Sequence, residues 1–217
     1  MPTTRIKVCC ISTADEARLA VAAGADAVGL VSQMPSGPGV IDDATIAAIA
    51  RIVPPPVATF LLTSRQDGRA IAEQHTRCRT TTIQICDHVA PAAYGELRAL
   101  LPGIRLVQVV HIADAASVDE ALAAAQAVDA LLLDSGNQRL AVKELGGTGR
   151  THDWSLSRRV TEQSPVPVFL AGGLTPANVR AAIDAVGPFG VDVCSGLRTG
   201  GALDPRKLAA FVAAAAA

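Results

Sequence analysis

Two adjacent cysteines near the start of the chain are the first residues that could carry chemistry. The stretch "KVCCIS", residues 7–12, places Cys9 and Cys10 in a short apolar segment. A thiolate can act as a base or a nucleophile, but a buried cysteine more often packs as a small hydrophobe. Which of the two cysteines works in a reaction, if either does, depends on the direction in which the fold points each side chain.

An acidic residue closes a second apolar segment. Asp134 follows three leucines in "DALLLDS", residues 129–135. An acid at the end of an apolar strand can have a structural role, in which it caps a helix or binds a loop. It can also be the general acid of an active site. Both interpretations stay open on this residue alone.

Two glycine-rich segments, "VFLAGGLTP" (168–176) and "DVCSGLRTGG" (192–201), each lead into a predicted helix. Glycines let a ligand approach the backbone closely, and the start of a helix offers free N–H groups to an anion. Tight turns alone would also explain these glycines. Two such loops after the last two strands of a barrel favour a phosphate site.

The elements that must position these residues form eight strand–helix units. Short apolar runs alternate along the chain with alanine-rich helical patterns, beginning with a helix that Thr13 would cap and Gly24 would end. Regular alternation predicts parallel strands joined by helical crossovers. Eight units in 217 residues predict one (β/α)8 TIM-barrel domain over residues 1–217. The alternative is a doubly wound open sheet, which would usually have fewer units and a glycine-rich first turn.

Strand alternation separates the two cysteines. Side chains of a barrel strand point in turn toward the interior and toward the helices. In a first strand over residues 5–10, Ile6, Val8 and Cys10 share the face that should meet the helices. Lys7 and Cys9 then point inward, with Cys9 at the carboxyl end where active sites of this fold lie. Cys9 is therefore the candidate for chemistry, and Cys10 is expected to pack.

Composition excludes several other classes of function. The net charge of −1 without a strong basic block disfavours nucleic acid as a partner. No apolar run approaches the roughly 20 residues of a membrane span, and "MPTTRIK" lacks the apolar core of a signal peptide, so we expect a cytoplasmic protein. The five cysteines have neither CxxC nor metal-ligand spacing, which disfavours a zinc site or a disulfide framework.

These segments together resemble the phosphoribosylanthranilate isomerase family. "KVCCIS" is similar to the family's opening Lys-Ile-Cys-Gly-Ile-Thr, with Cys9 on the catalytic cysteine and Cys10 on the glycine. "GADAVGLV" resembles its second strand, and "LLLDS" followed by "LGGTGRTHDWSL" resembles its sixth, with Asp134 on the catalytic acid. "FLAGGLTPANV" and "GVDVCSGLRTGG" resemble the phosphate loops, with Asp192 on the residue that contacts the sugar hydroxyls.

The resemblance implies an Amadori rearrangement of a phosphorylated ribosylamine, without a metal or organic cofactor. Asp134 would be the general acid and Cys9 the general base. A free thiol has a pKa of about 8.5, so we hypothesise that Lys7, on the same strand face, stabilises the thiolate. The residues expected to bind substrate are Lys7, Cys86, Gly172, Gly173, Asp192, Cys194, Ser195 and Gly196.

The pattern departs from the family at the end that would hold the anthranilate group. The family's carboxylate-binding arginine falls near Pro38, and the loop "SQMPSGPGVID" contains no arginine. At the end of the fourth strand, Cys86 replaces a histidine and Asp87 a glycine, and on the eighth strand Cys194 replaces a serine. Asp87 would repel a carboxylate. The candidates for a substitute cation are Arg65, Arg139 and Arg198, although a surface arginine is the simpler interpretation of each.

Several alternatives stay open from the sequence. A family member could act on a different phosphoribosylamine, or the barrel could bind a phosphosugar without turnover, although binding alone needs no positioned acid and base. An indole-glycerol-phosphate synthase would need lysines at the ends of strands 3 and 5, and Lys7, Lys143 and Lys207 lie elsewhere. A metal-dependent epimerase would need paired histidines and aspartates that the strands lack. Oligomeric state cannot be read from the sequence.

Overall fold

Alternating β and α propensity produces a closed parallel barrel in the computed structural model, which describes residues 4–136, 142–146 and 149–217. The barrel strands are β1 (Arg5–Val8), β2 (Ala27–Val31), β3 (Ala58–Thr63), β4 (Thr82–Ile85), β5 (Arg105–His111), β6 (Ala130–Asp134), β7 (Val168–Leu170) and β8 (Gly190–Val193). They hydrogen-bond in sequence order, and β8 closes the ring by pairing in parallel with β1. The predicted fold class is confirmed.

Helices follow the strands and cover the barrel. They are α1 (Ala14–Ala22), α2 (Asp43–Ile52), α3 (Gly68–Cys78), α4 (Pro91–Leu100), α5 (Ala116–Ala124), α6 (Trp154–Gln163), α7 (Val179–Val186) and α8 (Pro205–Ala216). The Thr13 side chain accepts a hydrogen bond from the Glu16 backbone N–H at 3.1 Å, which confirms it as the cap of α1. Among the described residues, no helix is both long and apolar enough to cross a membrane.

The apolar core lies in two layers. Outward-facing strand residues such as Val8, Leu131 and Leu133 pack against the helices. Inward-facing residues form a separate cluster that fills the barrel, with Phe60 and Phe169 in edge-to-face contact at 6.1 Å between ring centroids. Burial on both faces explains why apolar residues occupy inward and outward positions alike.

Two local features differ from the sequence prediction. The first strand ends at Val8 rather than at Cys10, because Cys10 has a φ of 60° and leaves the extended conformation. The loop after β8 also contains a hairpin that was not predicted, formed by β9 (Arg198–Thr199) and β10 (Ala202–Leu203). Gly200 and Gly201 both have positive φ between its strands, as the tightest hairpin turns require.

Candidate active site

One cavity opens among the carboxyl ends of the barrel strands and holds most of the predicted site residues. Its wall includes the two proposed catalytic side chains, Cys9 and Asp134, which the chain separates but the barrel brings together. Six predicted substrate-binding residues also line it: Cys86, Gly172, Gly173, Asp192, Cys194 and Ser195. Lys7 and Gly196 lie outside the lining.

Cys9 faces the barrel interior, as strand alternation predicts. Its backbone N–H donates to the Val193 carbonyl at 2.8 Å, which ties the end of β1 to β8. Burial raises the pKa of the Cys9 thiol to about 11, although the positive charge of Lys7 acts in the opposite direction. Cys9 is therefore a protonated thiol at neutral pH in the free protein, and it becomes a base only when its pKa falls.

Lys7 forms a buried ion pair beneath the cavity. Its ammonium donates to Asp192 Oδ1 at 2.9 Å, and its side chain has no exposed surface. Burial alone would lower the Lys7 pKa, but the nearby Asp192 carboxylate, together with Cys9, raises it. Lys7 is thus a permanent positive charge. The structure places it below the cavity wall rather than on it, so any effect on substrate passes through Asp192 or Cys9.

Gly29 on β2 makes room for this pair of side chains. A Cβ atom at position 29 would lie 2.7 Å from Cys9 Sγ and 3.1 Å from Lys7 Nζ. The first distance is too short for a real Cβ atom, and the second is tighter than most Cβ contacts. The glycine of "GADAVGLV" therefore allows the thiol and the ammonium to occupy the same layer of the barrel.

The environment of Asp134 raises the affinity of its carboxyl group for a proton. Burial raises the pKa of its carboxyl group to about 6, and the Asp192 carboxylate acts in the same direction. Its Oδ1 accepts from the Ser135 N–H at 2.7 Å, while Oδ2 faces Gly146 in the β6–α6 loop. Since a Cβ at Gly146 would lie 2.7 Å from Oδ2, the glycine lets the loop backbone lie close over the acid.

The fourth strand contributes two side chains to the cavity. Cys86 is buried in its wall, and burial raises the pKa of its thiol, so it is uncharged. Gln84 shares that face, and within the described structure its Oε1 is buried without a hydrogen-bond partner. Sequence reasoning did not include Gln84 in the site. Its two-residue spacing from Cys86 could have indicated that both side chains point into the cavity. A buried unpaired acceptor can receive a hydrogen bond from a substrate N–H or O–H.

A second recess adjoins the cavity at Met34, which lines both. Here Asp87 is buried and accepts a hydrogen bond from Lys143 Nζ at 2.7 Å. The Lys143 side chain is 38% exposed. Arg65 lines the same recess. The pairing neutralises the acid that was expected to repel a carboxylate.

The other candidate cations have different outcomes. Arg198 is not available to substrate, because its guanidinium donates to Glu16 at 2.9 Å and to the Cys10 carbonyl. The expectation that it is a solvated arginine is equally wrong, because only 10% of its side chain is exposed. Arg139 lies outside the described residues.

The glycine-rich loops after β7 and β8 meet at the opposite end of the cavity. Gly172 and Gly173 have φ of 84° and 63°, a region that side chains disfavour. Gly196 packs so closely on the Leu174 carbonyl that no side chain would fit. Glycine at position 196 therefore allows the two loops to pack against each other. Gly172, Gly173 and Ser195 line the cavity instead.

Cys10 and Cys194 form a disulfide, a pairing that the cysteine spacing disfavoured, and the expected packing of Cys10 is also corrected. Cys10 was expected to pack against the helices, but its positive φ turns the side chain into the interior cluster instead. Cys194 was expected to bind substrate, and it lines the cavity, but its sulfur is bonded to Cys10, so its backbone would make the contact. We therefore remove the Cys194 thiol from the set of substrate-binding groups. The cysteines outside this disulfide, among the described residues, are Cys9, Cys78 and Cys86.

Comparison with known proteins decides the family. The sequence profile described as "N-(5'phosphoribosyl)anthranilate (PRA) isomerase" matches residues 6–214. This chain belongs to that isomerase family. It is 38% identical over 218 residues to the N-(5'-phosphoribosyl)anthranilate isomerase of Halobacterium salinarum, covering 99% of this chain and 96% of the relative. It is 36% identical over 211 residues to that of Haloarcula marismortui, covering 96% and 94%.

Solved structures of the isomerase family have the same fold. The phosphoribosyl anthranilate isomerase of Thermotoga maritima aligns with a TM-score of 0.84 and 28% identity over 98% of both chains. A phosphoribosyl anthranilate isomerase in complex with reduced 1-(o-carboxyphenylamino)-1-deoxyribulose 5-phosphate aligns with a TM-score of 0.81 and 26% identity, again over 98% of both chains. Across the described part of this chain, no three potential ligands cluster to hold a metal ion.

The buried ion pair of this family member leads to a stability prediction. Replacing Lys7 by methionine should lower the free energy of unfolding by about 3–5 kcal/mol, because Asp192 would keep a buried charge without its partner. The double variant Lys7→Met/Asp192→Asn removes both charges and should recover most of that loss. Urea denaturation measures both quantities. Equal stabilities for the single and double variants would show that the pair does not hold the barrel together.

The same variant tests whether Lys7 favours the thiolate. Without the ammonium, the pKa of Cys9 should rise further, since its nearest positive charge is gone. The thiolate's ultraviolet absorbance, followed against pH in the Lys7→Met variant, measures this pKa, with Cys9→Ala subtracted to isolate the signal. An unchanged titration would rule out the hypothesis.

Proposed function

We propose that the chain isomerises N-(5'-phosphoribosyl)anthranilate to 1-(2-carboxyphenylamino)-1-deoxyribulose 5-phosphate, a reaction of tryptophan biosynthesis. The observation that carries the proposal is the placement of a thiol and a carboxylic acid, Cys9 and Asp134, on the wall of one cavity. An Amadori rearrangement needs one acid and one base at the same sugar. The names of the relatives support this substrate, and a cytoplasmic location stays the expectation.

Ring opening is the task of Asp134. Its carboxyl group donates a proton to the furanose ring oxygen while the bond from that oxygen to C1′ breaks. The lone pair of the anthranilate nitrogen forms the C1′=N bond, which leaves an iminium cation. A pKa of about 6 suits this role, because a group that titrates near neutral pH gives up its proton readily and is still partly protonated.

Proton removal from C2′ is the task of Cys9. The iminium withdraws electrons from C2′ and makes its proton acidic. The same positive charge, added to that of Lys7, favours the thiolate over the buried thiol. The Cys9 thiol releases its proton to solvent, and the thiolate that forms takes the C2′ proton. The resulting enolamine tautomerises to the ketone by gaining a proton at C1′ and losing one from O2′. The base is thus generated only after the ring has opened.

The rest of the cavity binds the two ends of the substrate. Backbone N–H groups of the loops around Gly172, Gly173, Ser195 and Gly196 would hold the phosphate, as the close approach of glycine backbone permits. The Asp192 carboxylate, held in place by Lys7, would accept hydrogen bonds from the ribose hydroxyls. Cys86 and Gln84 would contact the middle of the substrate.

The anthranilate carboxylate would point into the recess beyond Met34. This recess contains two cations, Lys143 and Arg65, against one buried acid, Asp87. Lys143 has three N–H donors, of which one binds Asp87, so two can serve a carboxylate. These cations would replace the arginine that the β2–α2 loop lacks.

Replacing Lys143 by methionine should raise KM for the anthranilate substrate by about 10- to 100-fold and change kcat little. A lost charge-assisted hydrogen bond accounts for about 1.5–3 kcal/mol, and Asp87 would then repel the carboxylate. Steady-state kinetics measure both constants. Lys143→Arg keeps the charge and should keep most of the affinity, and Asp87→Asn in the Lys143→Met background should restore part of it. An unchanged KM in Lys143→Met would show that the carboxylate lies elsewhere.

Turnover of freshly prepared phosphoribosylanthranilate tests the proposed function directly. Loss of the anthranilate-type fluorescence of the substrate reports the reaction. Turnover by the purified protein would support the proposal. Absence of turnover by a folded protein would reject this substrate and favour a phosphoribosylamine without a carboxylate.

A further inference from the structure

A disulfide joins the two strands where the barrel closes, beside the proposed base. Cys10 follows the end of β1 and Cys194 follows the end of β8, 184 residues apart in sequence. Cys9 precedes the first half-cystine, and Ser195 of the phosphate loop follows the second. The link therefore connects the backbone that carries the proposed base to the backbone that would hold the phosphate.

Cys10, the first residue of the disulfide, has an unusual backbone conformation. Its φ of 60° lies in the left-handed region that costs free energy for any residue with a Cβ. Among the described residues, Arg79 is the only other non-glycine residue in this region, and it ends helix α3. The covalent bond to Cys194 ties this left-handed turn to the end of β8.

Other contacts converge on the same turn. The Cys10 carbonyl accepts a hydrogen bond from Arg198, which is itself paired with Glu16. On the other side, the β2–α2 loop approaches so closely that a Cβ at Gly39 would lie 2.6 Å from the Cys10 Cβ. A relaxation of the turn would therefore shift both the Cys9 backbone and the loop over the cavity.

We propose that the Cys10–Cys194 disulfide is a redox-dependent positioning device, and that the isomerase is fully active only in the oxidised state. The inference rests on the proposed function, because its main readout is turnover. Reduction would free Cys10 from its left-handed turn and move Cys9 relative to the sugar. A displacement of about 1 Å at a reacting group can lower a rate a hundredfold.

The chemistry is thiol–disulfide exchange with a dithiol reductant. One thiolate of the dithiol attacks Cys194 Sγ, which is partly exposed at the cavity, and Cys10 leaves as a thiolate that takes up a proton. The second thiolate of the reductant then attacks the reductant sulfur that is bonded to Cys194, and Cys194 leaves as a thiolate. Two electrons pass to the protein, and the dithiol becomes a disulfide. A low-molecular-weight disulfide reverses the reaction.

The neighbouring Cys9 thiol does not attack the Cys10–Cys194 disulfide at neutral pH. Burial keeps Cys9 protonated, and a thiol is a far poorer attacking group than a thiolate. The three sulfurs can therefore lie in adjacent positions without scrambling.

The test combines thiol mapping with kinetics on the full chain. The protein is equilibrated with oxidised glutathione or with dithiothreitol. One portion of each sample is alkylated and mapped by mass spectrometry, and kcat is measured on the portion that is not alkylated. We expect Cys10 and Cys194 to escape alkylation after oxidation and to react after reduction, with kcat about tenfold lower in the reduced protein. The single variant Cys194→Ala should behave like the reduced protein under both conditions.

A matched double variant separates this effect from oxidation of other thiols. Cys10→Gly/Cys194→Ser removes both sulfurs and puts at position 10 a residue suited to positive φ, so its kcat should not respond to reductant. Free Cys10 and Cys194 after oxidation, or equal kcat in oxidised and reduced protein, would overturn the inference and leave the proposed function standing. An absence of turnover in both states would reject the proposed function and this inference with it.

Discussion

Replacing Cys9 by alanine should lower kcat by about 10²–10⁴-fold, the range over which a positioned general base accelerates a reaction. The side chain faces the cavity at the end of β1, and its pKa of about 11 makes it a strong base once ionised. No other group proposed here would take the C2′ proton. Stopped-flow or steady-state fluorescence of substrate loss measures the effect.

The control for this variant concerns the shape of the site. Alanine removes only the sulfur, so the temperature of unfolding should change little and the KM for substrate should stay within a few-fold of the original value. Cys9→Ser keeps the shape but has a hydroxyl that does not ionise near neutral pH, so it should be nearly as slow as Cys9→Ala. Retention of kcat in both variants would assign the base to another residue.

Replacing Asp134 by asparagine should lower kcat by a similar factor, about 10²–10⁴-fold, because the isosteric amide cannot protonate the ring oxygen. The amide keeps the hydrogen bond from the Ser135 N–H, so the loop should stay in place. Folding is checked by circular dichroism. A variant with full activity would exclude Asp134 as the acid.

The pH dependence of kcat/KM gives a second signature of this acid. The reaction needs a protonated Asp134, with a pKa of about 6, for ring opening, and the loss of the Cys9 proton, with a pKa of about 11 in the free protein, before C2′ is deprotonated. Below pH 6 the acid is protonated and the thiolate fraction rises with pH, so kcat/KM should rise about tenfold per pH unit. Above pH 6 the falling acid fraction cancels the rising thiolate fraction, and the profile should level off.

The asparagine variant separates Asp134 from titration of the substrate. Without the carboxyl group, its low residual kcat/KM should continue to rise above pH 6, because only the thiolate fraction then changes with pH. A break near pH 6 that persists in Asp134→Asn would belong to the substrate phosphate instead.

The sequence by itself determined the barrel and the inward direction of the two proposed catalytic side chains. Eight apolar runs alternating with helical patterns leave few ways to bury both faces of a parallel sheet, and a closed barrel is the simplest. The two-residue period of a strand is local, so it was enough to direct Cys9 inward. The same period correctly placed Asp134 with Leu132 on the inner face of β6.

Only the tertiary structure decided which groups pair. The Lys7–Asp192 and Cys10–Cys194 contacts join residues about 185 positions apart and exist because β8 closes against β1. Cys10 also leaves the strand period, so alternation assigned it to the wrong layer. The Lys143–Asp87 pair depends on how the β6–α6 loop lies over the end of β4. Local patterns determine where a side chain points, whereas ring closure and loop packing determine what it meets, and those contacts set the charge and the pKa on which the chemistry depends.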